Sequence, residues 1–129
     1  MTKKQLQEYY WLKRNINQLE DRLLELETQA TKITSTITDE PKNSSSNGDK
    51  ISNIVIKIID VKYKINSQLQ RSYQILEEIE NTIEKLPERE RYLMRSKYIE
   101  GKTWEQIAVD MNYSWMHIHR IHSKALKMI

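Results

Sequence analysis

A chain of 129 residues with 30% charged side chains, two glycines, two prolines and a mean hydropathy of −0.76 has the profile of long solvated helices, with room for one domain or two very small ones. Cysteine is absent, which excludes a disulfide framework, a thiolate metal site and a thiol nucleophile. No apolar run approaches the roughly 20 residues of a membrane span, and the start Met1-Thr2-Lys3-Lys4-Gln5 lacks the apolar core of a signal peptide, so no membrane partner and a cytoplasmic location are expected.

The first segment repeats apolar residues at alternating steps of three and four. Tyr9, Ile16, Leu23, Ala30 and Ile37 take the a positions of a heptad, and Leu12, Leu19, Leu26 and Ile33 take d. Such a stripe must pack on another helix, in the same chain or in a second copy. A partner follows after a polar stretch: Ile51, Ile54, Ile58, Val61, Ile65, Ile75, Ile79 and Leu86 keep one phase, with Val55, Leu69, Leu76 and Ile83 on an adjoining row. This wider face suits a helix with more than one neighbour. The β-branched run Ile54-Val55-Ile56 would alone permit a strand, but the spacing continues as a helix. Between the two segments, residues 38–50 contain Pro41, three serines and Gly48, and read as a flexible loop that reverses the chain.

The last 44 residues carry the punctuation of a helix-turn-helix. A helix opening at Leu86-Pro87-Glu88 runs to about Glu100, where Gly101 tolerates the left-handed conformation that ends many helices. Thr103 and Gln106 form a capping box for a short helix carrying Ile107, Ala108 and Met111. Asn112 sits at the turn, and Ser114 caps a third helix from Trp115 to about Met128. The expected fold is therefore all-α: a long, coiled-coil-like antiparallel hairpin over residues 1–85, then a helix-turn-helix domain over 86–129.

Charge follows the same division. Residues 85–129 hold nine Lys and Arg against five Asp and Glu, whereas residues 1–84 hold 12 against 13. The net +3 thus lies with the helix-turn-helix, as a partner of double-stranded DNA requires. On the third helix, Ile118, Ile121, Ala125 and Met128 or Ile129 share one face and should pack on Ile107, Ala108, Met111, Leu93, Met94 and Tyr98. The opposite face offers Trp115, Met116, His119 and Arg120 at the base-reading end, then Ser123, Lys124 and Lys127, with Lys102 as a further phosphate contact. Trp115 reads equally well as a packing residue at the edge of the motif, and Trp104 as structural or partner-facing. His117, His119 and His122 do not make a metal site, because 117 and 119 lie about 200° apart at about 100° per residue. No nucleophile stands beside a base, so neither catalysis nor a cofactor is expected.

The pattern Leu86-Pro87-Glu88-Arg89-Glu90-Arg91, Tyr98 to Ala108, Ser114 and Lys124-Ala125-Leu126 resembles region four of bacterial sigma factors, which recognises the promoter −35 element and contacts RNA polymerase. The rest resembles small phage and prophage proteins of Gram-positive bacteria, related to late-operon activators of the ArpU and RinA type. The resemblance implies a DNA-binding transcriptional regulator in a bacterial host cell, with RNA polymerase as a further partner. It departs where base readers stand: housekeeping sigma factors carry Arg-Glu and then Arg-Gln at the places held here by Trp115-Met116 and His119-Arg120, which implies a different target sequence. No segment resembles the region that melts the −10 element, so a complete sigma factor is not expected. The hairpin implies a homo-oligomer, with a dimer favoured. The alternatives are a small-terminase-type DNA-packaging subunit, which would form rings, and an interaction module that binds RNA polymerase.

Overall fold

The computed structural model describes residues 1–39 and 44–129, and among them every regular element is a helix: α1 (Lys3–Asp39), α2 (Ser44–Ile83), α3 (Glu88–Tyr98), α4 (Trp104–Met111) and α5 (Trp115–Met128). Residues 44–50, which composition assigns to the 38–50 loop, form the first turns of α2, and residues 38–39 the end of α1; residues 40–43 of that loop lie outside the described residues. Local composition loses here to propagation, since extending a helix adds one hydrogen bond per residue fixed.

The chain divides into two compact units. One is Arg14–Gln70, the other Met1–Lys13 together with Arg71–Ile129. In the first, Leu26, Ile54 and Val61 are buried together, with Leu19, Leu23, Ala30, Ile33, Ile58 and Ile65 packed around them. These are the heptad positions of α1 and the first row of α2; Ile37 lies outside the residues whose side chains are described. The stripe closes within one chain, and with so short a connection the two arms run in opposite directions. The adjoining row closes only toward the end of α2, where Ile83 is buried and Leu69 and Leu76 are half-buried; Val55 is 42% exposed, and Ile56, Ile59 and Tyr63, outside both rows, are exposed further.

The second unit contains the helix-turn-helix. Its core gathers Leu93, Met94 and Tyr98 of α3, Ile107 of α4, and Ile118, Ile121 and Ala125 of α5, and it also takes in Leu6 and Tyr9 from α1 and Ile79, Ile83 and Leu86 from the end of α2. A boundary at 85/86 would cut this core in two, because three helices of 11, 8 and 14 residues bury too little surface by themselves. Ile129 packs at the edge of the core, whereas Met128 is exposed.

The connections hold the helices at fixed angles. Gly101 sits at φ 72° and the Lys102 amide donates to the Ser96 carbonyl at 3.0 Å, turning the chain sharply out of α3. At α4 the Gln106 amide donates to Thr103 Oγ1 and the Thr103 amide to Gln106 Oε1, the expected capping box. A second box, between Thr2 and Gln5, starts α1. Asn112 is left-handed at φ 58°, and Ser114 Oγ accepts from the His117 amide to start α5. Arg91 donates to the carbonyls of Glu84 and Leu86, tying α3 to the turn before it.

Ile107 is fully buried at the meeting point of this core. Replacing it by Ala should destabilise the fold by about 2–5 kcal/mol through lost transfer energy and a residual cavity. The midpoint of urea unfolding followed by circular dichroism checks this, with a drop at unchanged slope as the expected result.

Candidate nucleic-acid interface

One face of α5 is an open groove of about 480 Å³ lined by Trp115, Met116, His119, Arg120, Ser123, Lys124 and Lys127. These are seven of the eight residues expected from the sequence to face DNA. The other face carries Ile118, Ile121 and Ala125 into the core, so burial of that stripe aims the groove outward. Along the groove the character changes: Trp115 and Met116 are 54% and 63% exposed at the N-terminal end, and Lys124 and Lys127 stand exposed at the other.

The eighth residue lies elsewhere. Lys102 makes ion pairs with Asp110 at 2.9 Å and Glu100 at 3.2 Å, and those hydrogen bonds raise its pKa above the ordinary lysine value. Its charge is spent on the α3–α4 turn. It borders a different hollow with Tyr10, Trp11 and Thr103.

Arg89 is a residue that sequence reasoning missed. It lines a smaller hollow of about 150 Å³ with His117, Arg120, Ile121 and Lys124, beside the groove. Its guanidinium bonds to the Glu90 carboxylate at 2.9 Å, and that contact with the Tyr113 hydroxyl raises its pKa. Glu90 is buried, yet the Arg89 hydrogen bond outweighs desolvation and holds its carboxyl below the usual carboxylate range. Only α3–α5 packing brings these groups together; in sequence, Arg89 is one more charged residue in a helical first turn.

Behind the groove runs a ladder of rings. Trp115 meets His119 at 3.9 Å between centroids, His119 meets Trp104 at 4.6 Å, and Trp104 meets His122 at 4.7 Å. His122 Nε2 and the Tyr98 hydroxyl share a 2.6 Å hydrogen bond at the buried end, and Lys97 stands 4.6 Å over the Trp104 ring. His119 is therefore held between two tryptophans, its Nε2 buried and without a hydrogen-bond partner. Trp104 is structural, packed on the core. His119 and His122 share Trp104, whereas His117 stacks on Tyr113 at 4.4 Å. Among the described residues no group of His, Cys, Asp and Glu could hold a metal ion, and no helix is long and apolar enough to cross a membrane.

Burial lowers the His122 pKa from 6.5 to about 4, with Lys3, His119 and Lys97 acting in the same direction, while burial pushes Tyr98 up to about 12. Between pH 6.5 and 4 the unfolded chain binds the His122 proton and the folded chain does not. Stability contributed by neutral His122 is thus complete above the upper value and lost as pH falls through this window. Urea unfolding from pH 7 to about 5.5, where Glu90 is ionised in the folded and unfolded chain alike, should show the onset of this decline in the native protein and a flatter profile in His122→Gln. An equal slope in both would assign the acid sensitivity to another group.

Residues 82–129 match the family model described as sigma-70, region 4, which covers less than half of the chain. No curated protein and no solved structure matches the sequence. With the caps, the turn and the α5 groove in place, the carboxy-terminal part of this chain is a sigma region-four-like, DNA-binding helix-turn-helix.

Proposed function

We propose that the protein is a sequence-specific transcriptional regulator that lays α5 in the major groove of duplex DNA. The observation that carries the reading is the α5 groove: apolar and arginine side chains at its N-terminal end, where recognition helices meet base edges, and lysines further along, where phosphates lie. Arg120 is the residue suited to a bidentate contact with guanine. Trp115 and Met116 flank it, and Ser123, Lys124 and Lys127 follow the backbone. His119 acts by holding Trp115 rather than by touching a base. Arg89 adds a phosphate contact from α3.

The likeness to region four supports RNA polymerase as a second partner. Likeness to small phage proteins is the ground for reading the regulator as phage- or prophage-encoded and active in the cytoplasm of a bacterial host.

A dimer is the assembly we favour, because a helix-turn-helix works best on paired half-sites. The heptad stripe needs no second copy, being occupied within the chain. Support comes from the opposite side of α2, where Ile56, Ile59 and Tyr63 form an uncharged, three-four spaced row that is 61%, 62% and 74% exposed.

Selection of bound sequences from a random duplex pool tests the central reading. Against the selected site, Arg120→Ala should reduce discrimination at one base position by about 1–3 kcal/mol. The pair Lys124→Ala and Lys127→Ala should weaken binding to all sequences and lower the salt slope by about 0.9 for each phosphate no longer neutralised. Equal loss on every sequence with Arg120→Ala would reassign that residue to the backbone. For the assembly, light scattering should give twice the chain mass, falling to one in Ile59→Asp; a ring-sized mass would favour DNA packaging.

A further inference from the structure

Resting on the reading of α5 as the base-reading helix, we propose that its N-terminal end recognises thymine through the C5-methyl group, with Trp115 and Met116 as the apolar seat beside the Arg120 contact. The chemistry of the two side chains limits what they can read. A methionine thioether and an indole face present no hydrogen-bonding pattern to a base edge, and the indole N–H is a single donor. In the major groove adenine, guanine and cytosine show only donors and acceptors there, whereas thymine adds a methyl group. An apolar side chain pressed on the first three strips water from polar atoms and replaces it with nothing. Pressed on thymine, it buries a methyl that water otherwise surrounds.

Placement supports this assignment. Ser114 caps α5, so positions 115 and 116 are its first two helical residues, where recognition helices approach bases. Both side chains are more than half exposed in a groove whose other members are His119, Ser123, Arg120 and two lysines. That charge commits the surface to an anionic polymer rather than to an apolar protein face. Trp115 is not free to fold away, because His119 packs on it at 3.9 Å and is itself backed by Trp104 and the hydrogen-bonded His122. The indole is thus a rigid plate at the mouth of the groove, ordered before any DNA arrives.

The test uses the full chain and a duplex chosen by it from a random pool. Each thymine of that duplex is replaced in turn by uracil, which removes the methyl group and leaves every hydrogen-bonding atom. The expected result is one or two positions, next to the guanine that depends on Arg120, where affinity falls roughly three- to tenfold. In Trp115→Ala and in Met116→Ala the same replacement should make little further difference. Trp115→Leu, which keeps an apolar side chain on a folded helix, should retain part of the methyl preference. Uracil equivalent to thymine at every position of a selectively bound duplex would overturn the methyl seat while leaving the regulator reading intact. Tighter binding of single strands than of duplex would also overturn it, in favour of base stacking on Trp115. Failure to select any duplex would overturn the underlying reading itself.

Discussion

A helix of eight residues does not persist alone in water, and α4 exists because Ile107 is buried where α3, α5 and the long helices meet. That one burial sets the rest of the carboxy-terminal unit. It fixes the angle at which α4 crosses α5, and so the direction in which the outward face of α5 points. Three short helices cannot supply enough apolar surface around it. Leu6 and Tyr9 from α1 and Ile79 and Ile83 from α2 fill the deficit, and an ion pair between Glu8 and Arg71 stands outside them. The long helices therefore do two jobs: their middle parts pack on one another, and their ends complete the core that carries the DNA-binding motif.

The ring ladder extends that core to the surface. Tyr98 and His122 lie inside and Trp115 lies in the groove, with Trp104 and His119 between them. Each aromatic contact contributes about 0.5–1.5 kcal/mol beyond simple burial. Because the members alternate between α3, α4 and α5, the ladder resists rotation of one helix against another. The buried His122 stands near its inner end and ties protonation to packing. The position of Trp115 at the N-terminal end of α5 is thus set by interior contacts.

Much of this was legible in the sequence wherever the determinants were local. Thr103 with Gln106, Ser114, Gly101 and Asn112 act over three or four residues, and each sits in the conformation its chemistry favours. The heptad of α1 was equally plain over residues 9–33, where its a and d positions are withdrawn from solvent, but the buried Leu6 lies off that period. Other features depend on residues distant in the chain. His122 is buried because Tyr98, 24 residues earlier, offers it a hydrogen bond, and Arg89 joins Lys124 only through the α3–α5 contact. Lys102 looked free because its partner Asp110 stands eight residues on, near the far end of α4. The start of α2 at Ser44 shows the converse, a run of serines and a glycine absorbed into a helix whose apolar row begins downstream.

Charge pairing then sharpens what net charge leaves vague. Arg91 and Arg95 both reach Glu84, Lys102 is held by Glu100 and Asp110, and Arg89 by Glu90. Among the described residues Arg120, Lys124 and Lys127 form no ion pair, nor do Lys85 and Lys97, so three of the five unpaired cations of residues 85–129 share one face of α5. Screening limits the reach of such a field to about 8 Å in physiological salt. On the proposed docking its effect would be exerted on phosphates already in contact. In that proposal the part of α5 that faces base pairs is the short stretch from Trp115 to Arg120. It holds no carboxylate. If that stretch reads bases as proposed, cytosine, whose groove edge is a donor, is the base it is least equipped to select.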